Sequence, residues 1–171
     1  MPKTVDSFRF VDSLSQTVLK SWMTRDRAAA SGPIPWTPLP RPLAECTVAL
    51  ISTAGVALNA DQPFDQDGER RNPWWGDPSY RVLPATATER DVTVYHLHID
   101  PRFAQADLNC ILPLRRLAEL AAEGVVGHAA PRAYSFMGYT VQPEQLLAES
   151  LPAIVQHLRA DGADAAVLVP V

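Results

Sequence analysis

Residues 158–169 read Leu-Arg-Ala-Asp-Gly-Ala-Asp-Ala-Ala-Val-Leu-Val, and their reading decides the fold. The amphipathic run from Pro143 to about Ala160, with Leu147, Leu151, Ile154 and Leu158 inward, predicts a helix stopped by Asp161-Gly162. Pro152 deletes one backbone donor inside that helix, so a bend or a split is expected there. Ala165 to Val169 is then a continuous apolar run, the pattern of a strand buried on both faces. Helix, glycine stop and buried strand make half of a βαβ unit and imply a parallel sheet.

Thr47-Val-Ala-Leu-Ile-Ser52 is a second such run, ending in the tight turn Thr53-Ala54-Gly55. Arg81-Val-Leu-Pro84 and Asp91-Val-Thr-Val-Tyr-His-Leu-His98 are further strand candidates, the latter alternating with period two. Pro113 starts a helix with Leu114, Leu117 and Leu120 on one face, and Gly124 closes it before Val125-Val126. Near the start, Asp6 and Ser7 cap an amphipathic helix over about residues 6–24, carrying Phe8, Val11, Leu14, Val18 and Trp22. Residues 32–42 hold five prolines and read as an extended arm that packs Ile34, Trp36 and Leu39 over the domain. Residues 59–78 read as a long polar surface loop; with Phe64, Trp74, Trp75 and Tyr80 it either covers a core edge or forms a lid or interface. The expected fold is α/β, a mostly parallel sheet with flanking helices, Rossmann-like or flavodoxin-like, in a single domain over 1–171.

Composition narrows the function classes. The 171 residues are 47% apolar and 20% charged, with a net charge of −4, enough apolar content to form a core. A pI near 5.5 without a Lys/Arg block argues against nucleic acid and membrane surfaces. No run approaches a membrane span and Met1 to Phe10 lacks an apolar core of a leader, so a cytoplasmic location is expected. Two cysteines, Cys46 and Cys110, are too few for a disulfide framework and read as free buried thiols, Cys110 being the better candidate for reactivity.

In open α/β sheets ligands bind beyond the carboxyl ends of strands, which points to Thr53 to Gly55, His98 to Asp100, Gly127 to His128, and Pro170-Val171. If the strand persists through His96-Leu-His-Ile-Asp100, then His96, His98 and Asp100 share one face about 7 Å apart. Such a set suits proton transfer or substrate binding. It could also hold Zn(II) or Fe(II) in a metal-dependent hydrolase, or be purely structural; no metal site is assigned. Asp77 and Arg81 could anchor an amine or a carboxylate, although Asp77-Pro78 also reads as an Asx turn. Ser135 and Tyr139 fall in an expected loop where Gly138 permits close backbone approach.

The ordered pieces Pro33-Ile-Pro-Trp-Thr-Pro38, Ala49 to Gly55, Asp77-Pro-Ser-Tyr-Arg81, His96-x-His98, Asp107-Leu-Asn109, Tyr134-Ser-Phe-Met-Gly-Tyr139 and Asp161-Gly-x-Asp164 resemble the selenoprotein B family of glycine, sarcosine, betaine and D-proline reductases. The resemblance runs from about Val5 to Val171 and is to short, stand-alone members. It implies a selenol- or thiol-dependent reductase that cleaves a C–N bond of a small amino-acid-like substrate. Implied partners are a dithiol or thioredoxin-like electron donor and a partner subunit; in large members a carbonyl-type subunit activates the amine. His96, His98 and Asp100 would line the site, with Thr53, Asp77, Tyr80, Arg81, Ser135 and Tyr139 as substrate-binding candidates. The family places a selenocysteine or cysteine directly after the position of Val171, with a second cysteine three residues on. The sequence shows no other cofactor, and the fold therefore reads as incomplete at its C-terminus, Val171 preceding an in-frame UGA or a split-chain boundary. A small-ligand or partner-subunit binding module is the alternative from a different class.

Overall fold

The structure is a computed structural model describing residues 13, 16, 17, 20, 21 and 36–171 except 73, 74 and 141. Contacts divide the chain into two compact units, Met1–Pro38 and Leu39–Val171. In the first, residues 13, 16, 17, 20 and 21 are helical, and the rest of the helix expected over 6–24 lies outside the described residues. So do residues 32–35 of the proline arm. Leu39, at the start of the second unit, is exposed against the expected packing.

The second unit is built on strand β1 (Thr47–Ser52), whose last five residues are buried. This strand is central because it has neighbours on both sides. β7 (Ala165–Val169) runs parallel along its whole length, from Val48 opposite Ala165 to Ser52 opposite Val169. On the other side the first half of β1 pairs with β5 (His128–Ala129) and the second half with β6 (Arg132–Phe136), both parallel. Strand β3 (Tyr80–Pro84) closes the far edge, antiparallel to β6. A separate antiparallel pair joins β2 (Val56–Leu58) to β4 (Val92–Val94). The α/β class and mostly parallel sheet expected from the sequence are thus present.

Alternation along β1 sends side chains to two cores. Val48 and Leu50 pack with Leu83, Leu112, Leu114 and Leu117, the last two from α3 (Leu114–Ala122). Ile51 packs on the opposite face with Tyr134 and Ile154, the latter from α4 (Leu151–Ala160). Burying an Ile or Leu side chain stabilises by about 1.5–3 kcal/mol, so the two helices clamp the sheet from both faces. Two shorter helices, α1 (Gln66–Arg71) and α2 (Pro101–Ala106), lie in the connections.

Several local expectations change. The helix entering β7 changes character without a gap: a π-helical stretch, Leu146–Ser150, passes directly into α4, in which Pro152 occupies the first turn. A π turn adds a residue to the repeat and shifts the inward face by one. Leu146 is consequently buried and Leu147 is 56% exposed, the reverse of the even spacing read from the sequence. β7 is not the doubly buried strand its apolar run suggests, because β1 is its only strand neighbour among the described residues and Val167 and Leu168 are exposed. Ser135 lies within strand β6 and not in a loop, and Gly127-His128 leads into β5, so it marks the start of a strand instead of its carboxyl end. Cys46 is buried as expected and its thiol faces the Arg41 carbonyl at 3.4 Å, but Cys110 is exposed.

Candidate active site

The parallel strands β1, β6 and β7 share one carboxyl end, and three segments meet there. Val171 follows β7, and its backbone N–H donates to Thr53 Oγ1 at 2.8 Å, while the same hydroxyl lies 3.4 Å from the Val171 carbonyl oxygen. The Thr53 N–H donates to the Val169 carbonyl at 3.1 Å, extending the β1–β7 ladder into the turn. Gly138, just beyond β6, abuts Thr53 so closely that an added Cβ would stand 2.9 Å from the Thr53 carbonyl oxygen. This is the close approach for which the sequence analysis singled out that glycine. Gly55 completes the turn at φ +61°, a left-handed conformation suited to glycine, and its carbonyl accepts from Tyr95 N–H at 2.9 Å.

That last bond keeps the register of β2 on β4 and is the final bond of the strand expected over residues 91–98. β4 stops at Val94, Tyr95 bonds to the β1–β2 turn, and the chain coils through His96 to Asp100. The two histidines still meet, by a different route: the His98 backbone N–H donates to His96 Nδ1 at 3.1 Å, and the rings stand edge to face at 5.7 Å. Asp100 does not join them. It caps α2, ahead of Pro101, and clasps the Arg102 guanidinium at 2.6 Å; that bond holds its carboxyl below the usual range. The even spacing of three ligands on one strand face is therefore absent, and no group of three His, Cys, Asp or Glu residues among those described is placed to hold a metal ion.

His96 is 9% exposed. Burial, and then the neighbouring His98, lower its pKa from the ordinary imidazole value, while the Val171 backbone carbonyl and Glu69 pull the other way. A neutral ring that accepts at Nδ1 carries its proton on Nε2, the nitrogen left to face the Val171 carbonyl. His98 is set differently. Its side chain is 54% exposed, its ring stacks at a tilt against Tyr139 at 4.7 Å, and its Nε2 lies 3.1 Å from Glu69 Oε1.

Glu69 is the residue that sequence reading missed. It sits on α1, a helix in the segment read as an irregular loop, where Asp65 caps the first turn by accepting from Gly68 N–H at 2.8 Å. Its side chain is 3% exposed, and Oε2 is buried with no hydrogen-bond partner among the described residues. The only sequence signal was Asp65 three residues before Gly68-Glu69, a cap followed by an acidic residue; nothing in it foretells burial.

The remaining candidates are drawn into structural roles. Ser135 is fully buried and its hydroxyl accepts from Val56 N–H at 2.9 Å, holding the β1–β2 turn on β6. Asp77 forms the Asx turn, accepting from Ser79 N–H at 2.9 Å, and also takes Asp65 N–H. Arg81 donates to the carbonyls of Gln62 and Pro63 and lies 4.2 Å over the Phe64 ring, so it pins the loop to the core edge. Phe64 itself is buried with Ala57 and Met137, which makes the aromatic loop a cover there; Trp74 lies outside the described residues. Tyr80 bonds to His157 Nε2 at 3.1 Å within a second polar network. In that network Asp161 accepts from the Arg132 guanidinium at 2.6 Å and from the fully buried Tyr134 hydroxyl at 2.9 Å. The Asp161-Gly-x-Asp164 piece thereby acquires a purpose, because Asp164 also accepts from Thr47 N–H at 2.9 Å and ties the entry of β7 to β1.

The carboxyl edge shared by β1, β6 and β7 thus brings together Thr53, Val171 and the His96–His98 pair, with Tyr139 against the His98 ring. Residues 20–171 match the model of the glycine/sarcosine/betaine reductase selenoprotein B family, and the chain belongs to that family. D-proline reductase subunit gamma of Acetoanaerobium sticklandii is 33% identical over 152 residues, 89% of this chain and 60% of that protein. The betaine reductase complex component B subunit beta of Peptoclostridium acidaminophilum is 30% identical over 144 residues, 84% of this chain and 30% of that protein. The chain thus spans less than two thirds of the length of either relative. No solved structure matches it. Among the described residues, no helix is long and apolar enough to cross a membrane.

Proposed function

We propose that this chain is part of a selenol- or thiol-dependent reductase subunit that cleaves the C–N bond of a small amino-acid-like substrate. The observation that supports the reading is the bond at the end of β7: Thr53 takes the Val171 N–H at 2.8 Å, and the Val171 carbonyl acts on the ring of His96, whose neighbour His98 lies against Tyr139. The family resemblance supplies a selenocysteine or cysteine as the next residue. In the proposed reaction its selenolate or thiolate attacks the carbon bearing nitrogen. The C–Se or C–S bond forms as the C–N bond breaks, and nitrogen leaves with the bonding pair and takes a proton from His98. A second thiol then attacks the selenium or sulfur. Carbon leaves with that bonding pair and is protonated, and the resulting selenenyl sulfide or disulfide is reduced by a dithiol donor. The names of the relatives, one a subunit and one a complex component, favour partner subunits for this chain too.

The test is amine formation by the full gene product with its partner subunits, a dithiol and a panel of glycine, sarcosine, betaine and D-proline. Loss of a positioned proton donor costs about 100-fold or more, so His98→Ala should fall by at least that factor. Absence of dithiol-dependent C–N cleavage in the unaltered protein overturns the proposal.

A further inference from the structure

The buried carboxylate of Glu69 has no structural account. Its Oε1 meets one donor, His98 Nε2, and Oε2 meets none among the described residues, although the side chain is 3% exposed. A carboxylate removed from water with one oxygen unpartnered is a net cost to the fold. An apolar side chain of similar volume would fill the same space without it. What the carboxylate does provide is a fixed acceptor behind an imidazole whose side chain is half exposed, at the carboxyl edge of the sheet.

We infer that Glu69 is a positioning residue for His98, making the two a carboxylate–imidazole dyad. The carboxylate accepts the Nε2 proton, which leaves Nδ1 as the nitrogen that gives and takes protons in the neutral and charged ring alike. When Nδ1 is protonated the imidazolium sits against the Glu69 carboxylate, and when it has delivered its proton the ring returns to the Nε2–H tautomer. The neighbouring rings are engaged otherwise: His96 uses Nδ1 to accept the His98 backbone N–H, and Tyr139 meets the His98 ring through its aromatic face. The ligand class served by the dyad is an amine, because in the reaction proposed above a nitrogen leaves with an electron pair and must be protonated. This part of the inference rests on that reading; the dyad geometry does not.

Two measurements separate the two. Long-range nitrogen–proton NMR spectra of the labelled chain, at mildly alkaline pH, report the His98 tautomer without any substrate. The expected result is a predominant Nε2–H tautomer, lost to a mixture in Glu69→Leu while the Thr53 and Val171 amide signals stay in place. A predominant Nδ1–H tautomer, or the same tautomer in both proteins, overturns the dyad. In the reductase assay Glu69→Gln keeps the shape and a hydrogen-bond acceptor but removes the charge, and about a 100-fold loss in kcat with little change in KM is expected. Full activity in Glu69→Gln overturns the role in proton transfer. Inactivity of the unaltered protein overturns the reductase reading, and the spectra still decide the positioning of His98.

Discussion

Replacing Gly138 by alanine tests the packing that seats Thr53 against the end of β7. The added Cβ would lie 2.8 Å from Thr53 Oγ1 and 2.9 Å from both Thr53 Cβ and the Thr53 carbonyl oxygen, where ordinary contact begins near 3.4 Å. The hydroxyl could rotate away, but the carbonyl belongs to the backbone, so the two turns must separate by about half an ångström. Overpacking of this kind costs about 1–3 kcal/mol. A glycine-to-alanine change returns about 0.4–1 kcal/mol by restricting the unfolded chain, which leaves a net loss of roughly 0–2.6 kcal/mol with a central value of ~1.3 kcal/mol. For a chain of this size the central value lowers Tm by about 3–5 °C. The displacement also loosens the Val171 N–H bond to Thr53. Each ~1 kcal/mol lost there speeds hydrogen exchange of the Val171 amide about five-fold. The assay is a thermal melt followed by circular dichroism, with amide exchange read by NMR. A Tm equal to or above that of the unaltered chain, with Val171 exchange unchanged, refutes the close approach of the two turns.

Other consequences follow from the charged and titrating groups. Because burial lowers the pKa of His96 from 6.5, the unfolded chain takes up that proton first, and its contribution to stability, present above pH 6.5, is lost as pH falls through the folded value. Urea titrations between about pH 7.5 and 5 should show this slope weakened in His96→Gln; an equal slope in both proteins contradicts the burial argument. Asp161 is held below 3.8 by Arg132, so its contribution is present above that pH and lost in acid. With its side chain 7% exposed against 33% for Arg132, Asp161→Asn should destabilise by about 2–3 kcal/mol at neutral pH, read from the urea midpoint. A change below about 0.5 kcal/mol would mark the pair as a mere surface contact.

Much of the architecture was legible from residue patterns. Thr47–Ser52 reads as a buried strand and is the centre of the sheet, because four consecutive apolar residues need cover on both faces. A perturbation near Pro152 is legible from its missing N–H; the π turn ahead of it, and hence the exchange of Leu147 for Leu146 in the core, is not. The same apolar signal misplaces Ala165–Val169, since an edge strand and a central one carry identical local sequence and differ only in their neighbours. At the candidate site, strand ends and spacing had pointed to Thr53 and the His96–His98 pair, and the structure places the three near the end of β7. The period-two pattern wrongly extended to Asp100, because the partner strand β2 begins only at Val56, after the Gly55 turn, and the pairing on β4 gives out beyond Tyr95, which no alternation reveals. Glu69 was invisible for a related reason. A glutamate in a polar stretch looks solvated until the fold brings His98 against it.

The central claim, that the reacting centre lies at the carboxyl end of β7 beside Thr53, His96 and His98, is tested most directly on the native gene product isolated from its host. Peptide mass spectrometry after reduction and alkylation should find a labelled selenocysteine or cysteine joined to Val171, and the same alkylation should abolish dithiol-dependent C–N cleavage. An unlabelled product, or cleavage that survives complete alkylation at that position, would contradict the account.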